Sequence, residues 1–156
     1  MSLEEAGKSR IRDLRERNLV CVKGSSTLIS VVEQLHKENC GAAGIVDDQG
    51  VLIGIFSIRD LMRRVDHSTM DWHSTPISDV MTADPTCLTD DDTLSTAIEV
   101  MQKGSFRHLP RVDAAGKPLA ISSVRDILAY ISEHFPKEFL NLPPRPGHDA
   151  KTPWGG

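Results

Sequence analysis

What this chain lacks narrows its possible roles first. Nowhere do its 156 residues run for the roughly 18 consecutive apolar positions that a membrane span requires, and the opening stretch MSLEEAGKSR has no apolar signal-peptide core. A cytoplasmic protein with no membrane partner is the expectation. Cysteine is scarce: Cys21, Cys40 and Cys87 are odd in number and far apart, which fits neither a disulfide framework nor a CxxC metal or redox pair. They read as small, buried apolar side chains. Positive charge is not in excess, since 18 Lys and Arg stand against 22 Asp and Glu for a net charge of −4, so the chain as a whole does not attract a polyanion and nucleic-acid binding is not expected. The basic run Lys8, Arg10, Arg12, Arg15 and Arg17 is diluted by Glu4, Glu5, Asp13 and Glu16 and reads as a charged surface helix. A Gly-rich phosphate loop, a nucleophile elbow and an HExxH motif are all missing, and no nucleophile–base pair is legible, so catalysis is not expected either.

What is present is a composition that can fold, with 39% hydrophobic and 26% charged residues in a length that suits one compact unit. The chain also aligns with itself, without a gap, at an offset of 66. Thr27-Leu28 falls on Thr93-Leu94, Val46-Asp47 on Val112-Asp113 and Gly50 on Gly116, and the densest match sets Ile55, Ser57, Arg59 and Asp60 on Ile121, Ser123, Arg125 and Asp126. Residues 1–10 then form an N-terminal extension, 11–65 a first copy, 66–76 a polar linker, 77–134 a second copy and 135–156 a Pro-rich tail.

Each copy alternates the period of its apolar residues in the same way. A short apolar stretch, Leu19 to Val22 or Thr86 to Leu88, precedes a helix whose apolar face carries Leu28, Val31, Val32 and Leu35, or Leu94, Ala97, Ile98 and Met101. Ser26 or Thr27, and Asp92 or Thr93, suit the N-cap. A strand pair follows around a turn in which Gly50 or Gly116 supplies positive φ, and a second helix closes the unit. The fold class is therefore α/β in the α+β sense, two β-α-β-β-α units of about 55 to 60 residues, each marginal alone and expected to share a core. In the tail Phe135, Phe139, Leu140 and Leu142 could pack as an extended strap, with disorder expected beyond Pro143.

Chemistry concentrates at G-I-F-S-I-R-D (Gly54 to Asp60) and A-I-S-S-V-R-D (Ala120 to Asp126). One reading is a capping box, the Ser57 or Ser123 hydroxyl at the helix start and the Asp60 or Asp126 carboxylate reaching back to it. The other is a nucleotide site, in which the helix start receives a phosphate and the carboxylate accepts the vicinal hydroxyls of a ribose, Gly54 letting the ligand approach. Arg107, a planar fork of donors, suits phosphate oxygens, and His108 could add a pH-sensitive donor. Arg59 and Arg125, inside the same turns, could reach phosphate or lie in solvent. Asp90, Asp91 and Asp92 read as a helix cap and dipole partner rather than a metal site, and His67 and His73 as solvent-facing.

Taken together, the repeated S-x-x-D, the D-V-M-T segment at Asp79 to Thr82, the F-R-H-L-P-R-V-D segment at Phe106 to Asp113 and the order of elements strongly resemble a tandem pair of CBS domains, the Bateman module, over residues 11 to 134. The resemblance implies a pseudo-twofold pair, often dimerised further, that senses AMP, ADP, ATP or sometimes S-adenosylmethionine in the clefts between repeats. It implies a regulatory role, a homodimer and an effector protein as partner, with no cofactor of its own beyond Mg carried in by a nucleotide. Asp60 and Asp126 would hold ribose with Ser57 and Ser123 assisting. Backbone at Cys21 to Val22 and Cys87 to Leu88 would line the adenine pocket, and Arg107 and His108, just before Pro110, would meet phosphates. The first copy has Cys40-Gly41-Ala42-Ala43-Gly44 where the second has Phe106 to Pro110, so the clefts are expected to be unequal. A purely structural dimerisation module without ligand, or a sensor of an S-adenosylmethionine- or NAD-type ligand, is the competing expectation.

Overall fold

Threonine caps begin the long helix of each copy. In the computed structural model, which describes residues 3–135, Thr27 Oγ1 accepts from Ser30 N–H at 3.4 Å and Thr93 Oγ1 from Thr96 N–H at 3.1 Å, each satisfying a donor that a helix start leaves over. The helices that follow, α2 (Leu28–Lys37) and α4 (Leu94–Gly104), bury Leu28, Val31 and Leu35, and Leu94, Ala97 and Met101. Each leads into an antiparallel pair, β2 (Ala42–Val46) with β3 (Leu52–Ser57) and β5 (His108–Val112) with β6 (Pro118–Ser123). The turns are built alike. Asp47 Oδ1 accepts from the main-chain N–H of Gln49 and Val51, Asp113 Oδ1 from those of Ala115 and Lys117, all at 2.9 Å. Gly50 and Gly116 adopt the expected positive φ, +82° and +79°. The closing helices, α3 (Ile58–Arg64) and α5 (Val124–His134), start on Ser57 and Ser123, and a short α1 (Leu3–Gly7) precedes the first copy.

The copies exchange their leading segments. The first sheet runs β1-β2-β3-β4, in which β1 (Val20–Lys23) is parallel to β2 and β4 (Thr82–Ala83), from the second copy, is antiparallel to β3. In the second sheet the corresponding places are single bridges, Leu88 parallel to Arg111 and Arg17, from the first copy, antiparallel to Ile121. Thr86 to Leu88, expected as a strand, is thus one bridge rather than a ladder. The cores follow the exchange: Ile77 and Val80 pack with Val20, Leu28, Ile45 and Phe56, while Ile11 and Leu14 pack with Leu88, Leu94, Leu109 and Ile127. So do the helix starts, because Leu28 N–H donates to Thr75 O at 2.8 Å and Leu94 N–H to Ser9 O at 2.9 Å. Neither the extension nor the linker is a spacer. Met70 and Trp72 pack against the first core, and hydrogen bonds from Ser68 hold the Asp66 carboxyl down to about 2, well below the usual carboxylate range.

The two cores differ at one buried layer. Where the first has Ile45 and Phe56, the second has Arg111 and Ser122, all four buried. Arg111, 1% exposed, donates to Asp90 Oδ1 from Nε at 3.0 Å and from Nη2, and among the described residues its Nη1 and the Ser122 hydroxyl find no partner. The acidic triplet is therefore not the helix cap expected of it, a place that Thr93 takes. Asp90 neutralises a buried guanidinium, Asp91 pairs with Arg12 and accepts from Arg10 at its carbonyl, and Asp92 accepts from Thr89 N–H at 2.7 Å. The cysteines also depart from expectation, none being buried: Cys21 is exposed, and Cys40 and Cys87 are half-buried. Phe135 is buried, while Phe139, Leu140, Leu142 and the stretch beyond Pro143 lie outside the described residues. Among those described, no helix is long and apolar enough to cross a membrane.

Removing Asp90 strands a charge in the second core, so Asp90→Ala should lower the unfolding free energy by about 3 kcal/mol. Asp91→Ala, which removes a surface pair, should cost no more than about 1 kcal/mol. Urea titration of the two variants checks the difference.

Candidate functional site

The passage from strand to helix builds the same structure in both copies. Ser57 donates to Asp60 Oδ2 from its main-chain N–H at 2.8 Å and its hydroxyl at 3.1 Å. Ser123 donates to Asp126 Oδ2 in the same two ways, at 2.9 and 2.8 Å, and its hydroxyl accepts from Asp126 N–H at 3.2 Å. The capping box thus exists, and it occupies one oxygen of each carboxylate. The other oxygen meets the exchanged segment. Asp60 Oδ1 accepts from Thr82 Oγ1 at 2.8 Å and faces Arg64 Nε at 3.4 Å, whereas Asp126 Oδ1 accepts from Arg17 Nε at 2.5 Å.

Thr82 and Arg17 were invisible to the repeat alignment, which sets Thr82 on Glu16. In the sheets Thr82 lies opposite Ile55 and Arg17 opposite Ile121, so the equivalence shifts by one residue here. Gly54 marks where the copies part. A Cβ at Gly54 would stand 2.3 Å from Met81 Sδ, so the space expected to admit a ligand is filled by Met81, and the second copy has Ala120 in that place.

Beside Asp60 and Thr82, a cleft runs between the copies, with Ile55, Thr82, Pro85 and Thr86 on one wall and Phe106, His108 and Pro110 on the other. Its volume is about 70 Å3, small beside the roughly 300 Å3 or more of typical small-molecule sites. The chain reaches this cleft with Asp84 to Thr86. Leu88 is 1% exposed in the second core, its N–H donates to Pro110 O at 2.8 Å, and its carbonyl accepts from Val112 N–H at 2.9 Å. Cys87 Sγ donates to Pro85 O at 3.2 Å, and burial pushes its thiol up. Cys21 and Val22 lie on the edge strand β1, opposite Gly44 and Ile45 of β2, so one side of their main chain faces away from the sheet.

His108 stands where the copies meet. Its ring lies 3.6 Å from where a Cβ on Gly41 would be, ordinary van der Waals distance, so Gly41 of the first copy packs beside it. Arg107 is exposed just before it, and its carbonyl accepts from Val124 N–H at 3.2 Å. Arg125 is exposed on the first turn of α5. Arg59 Nη1 donates to Ser105 O, at the end of α4 in the other copy, at 2.7 Å.

Burial pulls His108 below its ordinary value, and the positive charges of Arg107 and Arg17 add to the fall, while Asp126 opposes it. The fold therefore favours the neutral ring. The stability this contributes is complete above the unfolded value of about 6.5 and is lost as pH falls through the lower folded value. Between pH 7 and 5, wild type should lose more unfolding free energy than His108→Gln; urea midpoints across that range measure it, and equal losses would remove His108 from the account.

With this geometry in hand, the relatives are informative. The family model for the CBS domain matches residues 11–67 and 77–133. An uncharacterised 17.7 kDa protein of Acidianus ambivalens is 26% identical over 119 residues, covering 76% of this chain and 71% of its own. The CBS domain-containing protein CBSCBSPB5 of Arabidopsis thaliana is 29% identical over 128 residues, 82% of this chain, but this chain spans only 23% of that protein's length. Among solved structures, CBSX2 in complex with AMP superposes with a TM-score of 0.70 at 24% identity, covering 81% of this chain and 98% of its own. Two family matches, one on each copy, and a shared pair architecture settle the affiliation: the chain belongs to the CBS-domain family and carries its domains as a tandem pair.

Proposed function

We propose that this CBS pair is a regulatory module, not a catalyst, that binds an adenosine-containing nucleotide between its copies and passes the change to a partner protein. The observation that carries the reading is the twin S-x-x-D turn, in which a buried carboxylate is fixed by its own helix start and turns its second oxygen toward the other copy. A rigid, doubly accepting carboxylate beside a helix N-terminus suits a ribose diol, and Arg107 and His108 supply local positive and hydrogen-bonding capacity. The AMP held by CBSX2 supports the ligand class.

The narrow cleft supplies a mechanism. A nucleotide needs more room than about 70 Å3, so binding selects arrangements in which the copies stand further apart, and differential affinity for the two arrangements shifts their populations. A divalent ion would enter with the nucleotide. A second copy is the natural first partner, because Ile58 and Met62 on α3 and Val124 and Leu128 on α5 are exposed apolar side chains, 39 to 75% accessible.

Nucleotide at about 100 times its dissociation constant should add about 2.7 kcal/mol of stability, seen as a thermal shift with AMP, ADP or ATP. Calorimetry on Asp60→Ala and Asp126→Ala separately assigns the clefts; unchanged binding in both would remove the turns from the site, and no shift with any of these ligands or with S-adenosylmethionine would leave the structural dimerisation reading. Met62→Glu with Leu128→Glu should convert a dimer to a monomer in light scattering without loss of helical signal.

A further inference from the structure

The two helix-start carboxylates differ in what holds their outer oxygen. At Asp60 it is an uncharged hydroxyl, Thr82 Oγ1 at 2.8 Å, with the Arg64 guanidinium standing further off at 3.4 Å; at Asp126 it is a guanidinium at hydrogen-bond distance, Arg17 Nε at 2.5 Å. The Asp126 side chain is 2% exposed and that of Arg17 is 51% exposed, so the arginine stands between the carboxylate and solvent. Its main chain is tied down, Ile121 N–H donating to Arg17 O at 3.2 Å, and the side chain can swing on a fixed support. Arg107 and His108 are the other charged or titratable groups close by.

A vicinal diol arriving at Asp126 has to displace that guanidinium. A charge-assisted bond is roughly twice as strong as a neutral one, so the exchange is unfavourable unless the arginine gains a new anionic partner. An uncharged nucleoside offers it only water. A nucleotide offers phosphate oxygens that match its fork of donors, a few bonds from the ribose. Resting on the adenosine reading above, we propose that Arg17 is the specificity-determining residue of the Asp126 cleft. It covers the ribose carboxylate until a phosphate-bearing ligand takes it over, and so admits nucleotides and turns away uncharged nucleosides. At Asp60, where Thr82 takes the place of Arg17 and the Arg64 guanidinium stands off at 3.4 Å, the filter is weaker.

The test is calorimetric titration of the full chain with AMP and with adenosine in an Asp60→Ala background, which isolates the Asp126 cleft. Adding Arg17→Ala should weaken AMP at least tenfold and tighten adenosine severalfold, collapsing the preference between them. Arg17→Lys, which keeps the charge without the fork, should fall between, and thermal unfolding of both variants confirms that they fold. A preference unchanged within twofold, while Asp126→Ala still abolishes AMP binding, overturns the role of Arg17 and leaves the cleft reading standing. AMP binding that survives Asp126→Ala overturns the cleft reading and this proposal with it.

Discussion

Docking of each copy's leading segment into the other copy's sheet is the constraint on which the remaining structure depends. Ile77 and Val80 complete one core and Ile11 and Leu14 the other, so neither set of about 55 residues closes its apolar interior with its own chain. The same crossing places Thr75 and Ser9 over the starts of α2 and α4, and Thr82 and Arg17 over the two buried carboxylates. Packing, helix capping and the chemistry of the clefts are thereby set by one topological choice.

That choice explains why a capping box and a ligand site need not compete. A carboxylate has two oxygens with about four acceptor positions. The helix start engages one oxygen and holds the group rigid; the second is aimed across the junction, where the chemistry of the other copy decides what it meets. The hold on the first oxygen comes from local sequence, and the partner of the second from a segment more than twenty residues away in one case and more than a hundred in the other.

Much of this was legible from residue spacing. The apolar stripes of α2 and α4, the threonine caps and the positive φ at Gly50 and Gly116 are local consequences of local sequence, and the S-x-x-D geometry is complete within four residues. What escaped was non-local. An alignment of the copies finds equivalent positions but not which sheet a segment joins, so Arg17 was read as part of a charged surface helix, and neither it nor Thr82 was linked to a buried carboxylate. Arg111 was hidden by its strand, since a charged residue in the motif L-P-R-V reads as outward-facing until Asp90 is seen to neutralise it. The hydrogen bond of Arg59 was out of reach for the same reason, its acceptor Ser105 lying in the other copy.

The exchange also bears on how the chain matures during synthesis. Residues leave the ribosome in order, and domains tend to fold from the N-terminal end as they emerge. The first core needs nothing beyond residue 83 and can close while the remainder is still being made. The second needs Ile11, Leu14 and Arg17, yet their seats on α4 and β6 are made only after the whole of the first copy. The leading segment therefore waits, uncovered, until those elements emerge, and the charged run around Ile11 and Leu14 favours its solubility in the meantime.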